Sequence, residues 1–436
     1  MRTPTLARHR RNVEITLGLL TIIVTVGGYV LVALAKNSTL PPDLYLLLAA
    51  VVGLYVLAHL TIRRFAPAAD GTLLPLAALL NGIGFVTIAR LDRNLARIQS
   101  VWVAVGVAAF IATLVLVRDS RMVERYRYTF ALLGILCLLL PLVPGVGQQI
   151  NGARLWVRFG ALNFQPGEAA KVLLVIFFAA YLVDKRELLS SGSVRVAGMY
   201  FPALRHLGPL MLAWGFSIIV MVQEKDLGSS LLFFAVFSAM LYMATNRGVY
   251  LLGGLVLFVI GAVIAYHLFT HVQVRVTTWI NPWPKARGEG YQITQSWFAF
   301  GTGGVAGTGL GLGSPDKIPN AATDFIFSAI GEELGLVGTM AIVLSYVLLV
   351  GSAFRVAVDS VRNFSKLFAA GLATIFGIQT LIIMGGVTRL IPLTGITLPF
   401  VSYGGSSLVA NFVLLALLLR ISHETVAGPP PPRVRA

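Results

Sequence analysis

The sequence predicts an all-α protein, a polytopic membrane helical bundle of about twelve transmembrane helices with a large extracytoplasmic loop. Three observations carry this. Of the 436 residues, 57% are hydrophobic and only 12% are charged, about half the charged fraction of a soluble domain. The apolar residues come in blocks of about twenty, long enough to cross a bilayer as helices. The lysines and arginines, which produce a net charge of +16, sit in short clusters between those blocks. That distribution follows the positive-inside rule and argues against nucleic acid as a partner.

The spans fall at roughly 14–35, 43–62, 73–90, 98–117, 127–146, 166–183, 204–222, 226–244, 248–270, 324–352, 367–388 and 400–420. With the N-terminus (Arg2, Arg8, Arg10, Arg11) in the cytoplasm, most of the remaining basic residues also fall inside, including Arg63–Arg64, the stretch from Arg118 to Arg127 and that from Arg355 to Lys366. Both termini are therefore expected in the cytoplasm, in a multi-pass protein of the cytoplasmic membrane. Arg90, Arg93 and Arg97 lie outside and are a local exception. The first span mimics a signal peptide at Ala33-Leu34-Ala35, but its apolar region is too long for one, so it is expected to be retained. The single cysteine, Cys137, lies in an apolar span, where packing explains it. The six histidines are scattered without metal-ligand spacing.

Three connections stand apart. Residues 147–165 are polar and aromatic and are expected as an external connection, while residues 271–323 form the long external loop. Residues 428–436, GPPPPRVRA, read as a disordered cytoplasmic tail. Within the long loop, YQITQSWFAFG has helical apolar spacing and suits a surface helix. The glycine run from Gly301 to Gly313 follows. Neither a βαβ unit nor a Gly-Lys-Ser/Thr accompanies it, so dinucleotide and Walker readings fail. A flexible loop and a substrate-contacting loop remain open for it.

Charged residues within or beside apolar spans are costly unless paired or used. Glu168 and Lys171, at i and i+3 in QPGEAAK, share a helix face and can pair, or can wall a cavity holding a charged ligand. Arg154, Trp156 and Arg158 in NGARLWVRFG suit either interfacial anchoring or a grip on phosphate and sugar. Asp226 opens a span and is expected as a helix cap. Asp324 is either such a cap or a general base at an aqueous mouth near Lys317. Ser402 and Tyr403, in VSYGGSS, suit close helix packing or donation to a ligand. Glu332 and Glu333 follow Asp324 with no role assigned.

Together NGARLWVRFGALNFQPGEAAK, QEKDLGSSLLFF, GYQITQSWFAFGTGG, TDFIFSAIGEELGLVG and GGVTRLIPLTGITLPFVSYGGSSL resemble, in order, the SEDS family (shape, elongation, division and sporulation), most closely its RodA-like branch. The resemblance implies a ten-helix core over residues 73–422; beyond that family core the chain adds a tail and two helices of open role in residues 1–72, and a tail at 423–436. It implies a peptidoglycan glycosyltransferase of cell-wall elongation and cell shape that polymerises lipid II at the outer face of the membrane. It also implies a class B penicillin-binding protein as partner. Asp324 then becomes the catalytic candidate and Glu168 with Lys171 the family's cavity pair. Gln292 and Gln295 become candidate sugar contacts, and Arg154, Trp156, Lys171, Lys317, Ser402 and Tyr403 further substrate contacts.

Three departures limit the carry-over. Ile318-Pro319-Asn320 stands where many members have Leu-Pro-Glu, Ile383 replaces an asparagine, and Gln223-Glu224-Lys225-Asp226 replaces Gln-Pro-Asp. No cofactor is implied with certainty; a magnesium or manganese ion is an expectation without an identified ligand set. The same features suit a lipid II flippase or a non-catalytic cell-wall scaffold. A twelve-helix secondary transporter predicts pseudo-repeated halves, which the sequence lacks.

Overall fold

The structure is a computed structural model that describes residues 3–37, 44–150, 153–160, 162–190, 194–196, 199–201, 204–224 and 226–428. Parts of several predicted features therefore lie outside the described residues: Arg2, Asn151 and Gly152 of NGARLWVRFG, Lys225, and residues 429–436 of the proline-rich tail.

Helices α1 (Thr3–Asn37), α2 (Leu44–Phe65), α3 (Leu73–Leu91) and α4 (Arg93–Leu116) open the chain. Asp92 separates the last two and caps α4, accepting from the N–H groups of Asn94 and Leu95 at 2.7 and 3.3 Å. Short α5 (Ser120–Arg125) leads into α6 (Arg127–Leu139). The expected connection at 147–165 folds as an antiparallel sheet of β1 (Gly147–Ile150), β2 (Ala153–Phe159) and β3 (Leu162–Phe164). Its backbone groups pair with one another in a ladder, the usual answer for a segment that leaves a bundle. Pro166, whose missing N–H costs nothing at a helix start, begins α7 (Pro166–Asp184).

After α8 (Arg186–Ser190) a small hairpin, β4 (Val194–Val196) and β5 (Met199–Phe201), precedes α9 (Leu204–Gln223) and α10 (Leu227–Thr245). Then come α11 (Gly248–Leu268), α12 (Thr270–Ile280), α13 (Tyr291–Gly303), α14 (Ile326–Asp359), α15 (Asn363–Val387) and α16 (Gly405–Ala427). Among the described residues ten helices are long and apolar enough to cross a membrane, and shorter apolar helices at Arg127–Leu142 and Met211–Gln223 fall on the other two expected spans. The last span starts at Gly405 and not at residue 400, because residues 395–404 run in irregular backbone beside the site.

The centre is built by α3, α7, α15 and α16, whose side chains are mostly buried. Phe376, Phe400, Phe412 and Phe110 form a chain of ring contacts there, with centroids 5.6 to 6.4 Å apart. In α11, by contrast, no residue is buried. The added helices α1 and α2 are fastened by polar contacts. Glu14 is buried and meets His59 Nδ1 at 2.7 Å as well as Arg63. Arg10 donates to the carbonyl of Ala68 at 2.8 Å.

Candidate active site

The long loop folds back onto the start of α14. That helix is broken at Gly335 (φ 64, ψ −161), a conformation open to glycine alone. The break frees carbonyls and N–H groups that the glycine run takes up. Thr308 and Gly309 donate to the carbonyls of Glu332 and Glu333 at 3.0 Å each, while Leu336 donates to Gly304 at 2.9 Å and Val337 to Val305 at 3.2 Å. The approach excludes side chains: a Cβ on Gly303 would meet the Gly331 oxygen at 2.0 Å, and one on Gly307 the Glu333 oxygen at 2.2 Å. Gly303 and Gly307 thus serve backbone-to-backbone contact with the start of α14.

The two unassigned glutamates complete the lock. Glu332 accepts from the Ser314 N–H at 2.7 Å, and Glu333 from Arg90 Nε at 2.8 Å, while Arg90 Nη2 donates to the Gly313 carbonyl at 2.8 Å. Arg90, at the end of α3, is buried. Its place against the positive-inside pattern therefore reflects a buried ion pair and not topology.

Held by this lock, Asp324 precedes α14, which begins at Ile326. It does not cap the helix; Phe325 is the cap residue and makes no side-chain capping bond. Asp324 faces a cavity of about 520 Å³ walled by α12, the start of α13 and the irregular segment near Gly395. Gly395 (φ +76) lies between Asp324 and Arg275: a Cβ added there would sit 3.6 Å from Asp324 Oδ2 and from Arg275 Nη2. Arg275 is fixed by donating from Nη1 to the carbonyls of Leu393 and Thr394 at 3.0 and 2.7 Å. Burial pushes the Asp324 carboxyl up to about 6, with Arg275 and the Thr323 hydroxyl pulling the other way.

Arg389 stands on the cavity rim, tied to α12 by reciprocal bonds. Its Nε donates to the Trp279 carbonyl at 2.9 Å, and Trp279 Nε1 donates to its carbonyl at 3.0 Å. Its guanidinium lies 5.0 Å from the ring centre of Trp297.

Deeper in the bundle the Glu168–Lys171 pair closes at 2.6 Å, and Lys171 Nζ also donates to Gln379 Oε1 at 2.9 Å. Gln379 in turn donates to the Thr397 carbonyl at 2.8 Å, tying the pair to the strip carrying Gly395. Asp226 caps α10 as expected, accepting from the Ser229 N–H and hydroxyl at 2.9 and 2.6 Å. It is buried and within electrostatic reach of Glu168, Arg275 and Asp324. Glu224, two residues before it, is also buried; burial first, then the Asp226 charge, pushes its carboxyl up to about 8.

Of the residues singled out from sequence, Asp324 and Gln292 line the main cavity. Gln295 sits one turn further along α13, outside that lining. Lys317 is exposed and Arg154 and Trp156 lie on β2, so none of the three borders the cavity. Ser402 positions the loop: its hydroxyl donates to the Thr323 carbonyl at 2.6 Å and accepts from the Leu398 N–H at 2.9 Å. Tyr403 does the same through its backbone N–H, 2.8 Å from the Ala322 carbonyl. Sequence reasoning missed Arg275 and Arg389, the cations that border the cavity. A signal for the first exists: it is the only charged residue between Arg247 and Lys285. Among the described residues no group of three or more His, Cys, Asp or Glu is arranged to hold a metal ion.

The arrangement offers one elevated carboxylate, two arginines and a glutamine around a space large enough for a sugar. A family model described as cell cycle protein, covering FtsW, RodA and SpoVE, matches residues 72–427. The peptidoglycan glycosyltransferase RodA of Mycobacterium tuberculosis (strain H37Rv) is 47% identical over 425 residues, spanning 95% of this chain and 91% of that protein. The probable peptidoglycan glycosyltransferase FtsW of Geobacter metallireducens is 37% identical over 336 residues, 76% of this chain and 85% of its own. Among solved structures, a chain from a peptidoglycan synthase complex described as coordinating polymerization and crosslinking superposes with a TM-score of 0.68 at 28% identity. It covers 82% of this chain and 98% of that one. The rod shape determining protein RodA of Thermus thermophilus gives 0.59 at 27% identity, covering 82% and 97%.

Proposed function

The chain belongs to the FtsW, RodA and SpoVE family and is a peptidoglycan glycosyltransferase of the cell membrane, and we propose that Asp324 is the base of its glycosyl transfer. The substrate is the lipid-linked disaccharide-peptide lipid II, and the C4 hydroxyl of an acceptor sugar attacks the anomeric carbon of the donor. Asp324 takes the hydroxyl proton as the new bond forms, and the polyprenyl diphosphate leaves with the electron pair of the broken bond. Arg275 and Arg389 border the same cavity and face the charge that grows on the diphosphate. Gln292 contacts the sugar. Lys171, bound to Glu168 and Gln379, acts on the position of the neighbouring strip and not on the reacting atoms.

The observation that carries this reading is the elevated carboxyl of Asp324 beside Arg275 at the wall of the large cavity. A carboxylate titrating near 6 is ionised at neutral pH yet more basic than an exposed one, which suits proton abstraction. A magnesium or manganese ion is usually held by one or two carboxylates together with substrate phosphate oxygens, and among the described residues no group of three or more His, Cys, Asp or Glu singles out a ligand set for one. The proton transfer assigned to Asp324 does not involve one.

Two further parts of the proposal concern placement. The distribution of basic residues supports both termini in the cytoplasm and the cavity on the outer side. The similarity to a chain of a peptidoglycan synthase complex supports a class B penicillin-binding protein as the crosslinking partner. The decisive experiment supplies lipid II to purified Asp324→Asn protein. Polymer formation should fall by about 10²-fold or more, the range for losing a general base, with the thermal unfolding profile retained. Normal glycan polymer from that variant would overturn the base assignment. Transbilayer movement of lipid II by the wild type without any polymer would favour a flippase.

A further inference from the structure

A second cavity, of about 410 Å³, lies at the end of the bundle opposite Asp324, where the C-terminal ends of α7, α10 and α14 meet the start of α15. Its lining divides by chemistry. Arg186, Lys366, Asn246 and Asn363 bring cations and amides to the mouth, and Phe354 and Leu367 are among the apolar residues behind them. No carboxylate lines it. Glu187, the acid next to Arg186 in the chain, is not part of the lining, and Asp184 is shared by Arg127 at 3.4 Å and Lys185 at 3.3 Å. Arg186 and Lys366 form no ion pair among the described residues, and both are exposed.

Two exposed cations lining one cavity without a carboxylate make it a site that favours an anion. The position selects the anion. The cavity sits where apolar helices end, and Tyr242, an amphipathic side chain favoured at membrane interfaces, is part of its wall. A ligand that satisfies both halves must carry a phosphate and an acyl chain. Basic pockets between helix ends are a known way of holding anionic lipid head groups.

We propose that this cavity binds the phosphodiester head group of an anionic phospholipid, with Arg186 and Lys366 on the phosphate and the Phe354–Leu367 wall on the first part of an acyl chain. It is separate from the glycosyl-transfer cavity, with which it shares no lining residue.

The test is a lipid titration of the full-length protein by native mass spectrometry, using phosphatidylglycerol, phosphatidylcholine and soluble glycerol 3-phosphate as separate probes. Wild type should retain phosphatidylglycerol in preference to phosphatidylcholine. The double variant Arg186→Gln/Lys366→Gln should lose that preference by a factor on the order of ten or more, the effect of removing two interfacial cations. Arg355→Gln, an exposed cation at the same end but outside the cavity, should keep it. Arg186→Lys/Lys366→Arg should also keep it, which separates lost charge from lost fold. Equal retention of both lipids by wild type, or undiminished preference in the double variant, would overturn the proposal. Displacement of the lipid by glycerol 3-phosphate at equal concentration would overturn the lipid assignment in favour of a soluble phosphate.

Discussion

A base that titrates near 6 leaves a signature in the rate. As the proposed base, Asp324 must be ionised to accept a proton, so polymerisation should rise with pH through about 6 and level off above it. Because Arg275 favours the ionised form, removing its charge raises the carboxyl further. Arg275→Gln should thus move the acid limb to higher pH as well as lower the plateau, and Arg275→Lys should restore part of the limb. A pH–rate profile of polymerisation reads both, and an acid limb that stays in place would disconnect Arg275 from Asp324. The Glu168–Lys171 pair makes a different prediction. Lys171→Ala leaves the partly buried Glu168 carboxylate without its cation, which costs up to about 3 kcal/mol, the low end of the range for a fully buried pair, and should show as a fall in Tm. Exchanging the two, Glu168→Lys with Lys171→Glu, should recover more activity than either reversal alone. Asp324 and this pair were legible in the sequence because charges beside apolar spans are conspicuous. Arg275 was not, since its meaning depends on the carbonyls of Leu393 and Thr394, more than a hundred residues away.

At the scale of elements, twelve hydrophobic blocks sufficed to place the helices, because length and apolarity alone select a spanning helix. The same signal is blind to what happens between and within spans. It did not indicate the sheet at β1–β3, whose pairing is satisfied through the backbone, or the break at Gly335 inside an unbroken apolar run. Nor could it show that the glycine run and the break are two halves of one device. That device can be tested by adding single methyl groups. Gly307→Ala and Gly335→Ala each force a Cβ to within 2.3 Å of backbone atoms at a positive φ. Each should lower stability by about 1–3 kcal/mol and reduce polymerisation, since Asp324 follows the same loop. Gly301→Ala is the control, because its Cβ would meet nothing within 4 Å and it lies in a helix. That change should be neutral or stabilising by up to about 1 kcal/mol. Equal loss in all three variants by thermal unfolding would contradict the interlock.

For the whole molecule, the orientation decides which leaflet each cavity serves. The cavity at Asp324 and the cation-lined cavity lie at opposite ends of the same helices: α14 starts beside one and ends at the other. A single topology therefore fixes both, and the argument for it is the clustering of basic residues at the end that carries Arg118, Arg121, Arg186 and Arg362. Arg90, buried against Glu333 at the other end, drops out of that comparison, which strengthens the bias. Cys137 is the single cysteine, so a Cys137→Ser background accepts one reporter at a time. Arg287→Cys, exposed in the long loop, should react with a membrane-impermeant maleimide on intact cells. Val361→Cys, in the turn between α14 and α15 and 87% exposed, should react only after permeabilisation. The reverse pattern would place Asp324 on the cytoplasmic side, where a glycan polymerised from lipid II would be trapped beneath the membrane. Labelling at both sites in intact cells would require a population of mixed orientation. The expected pattern puts the base where a growing glycan can leave and the anionic-lipid cavity in the leaflet facing the cytoplasm.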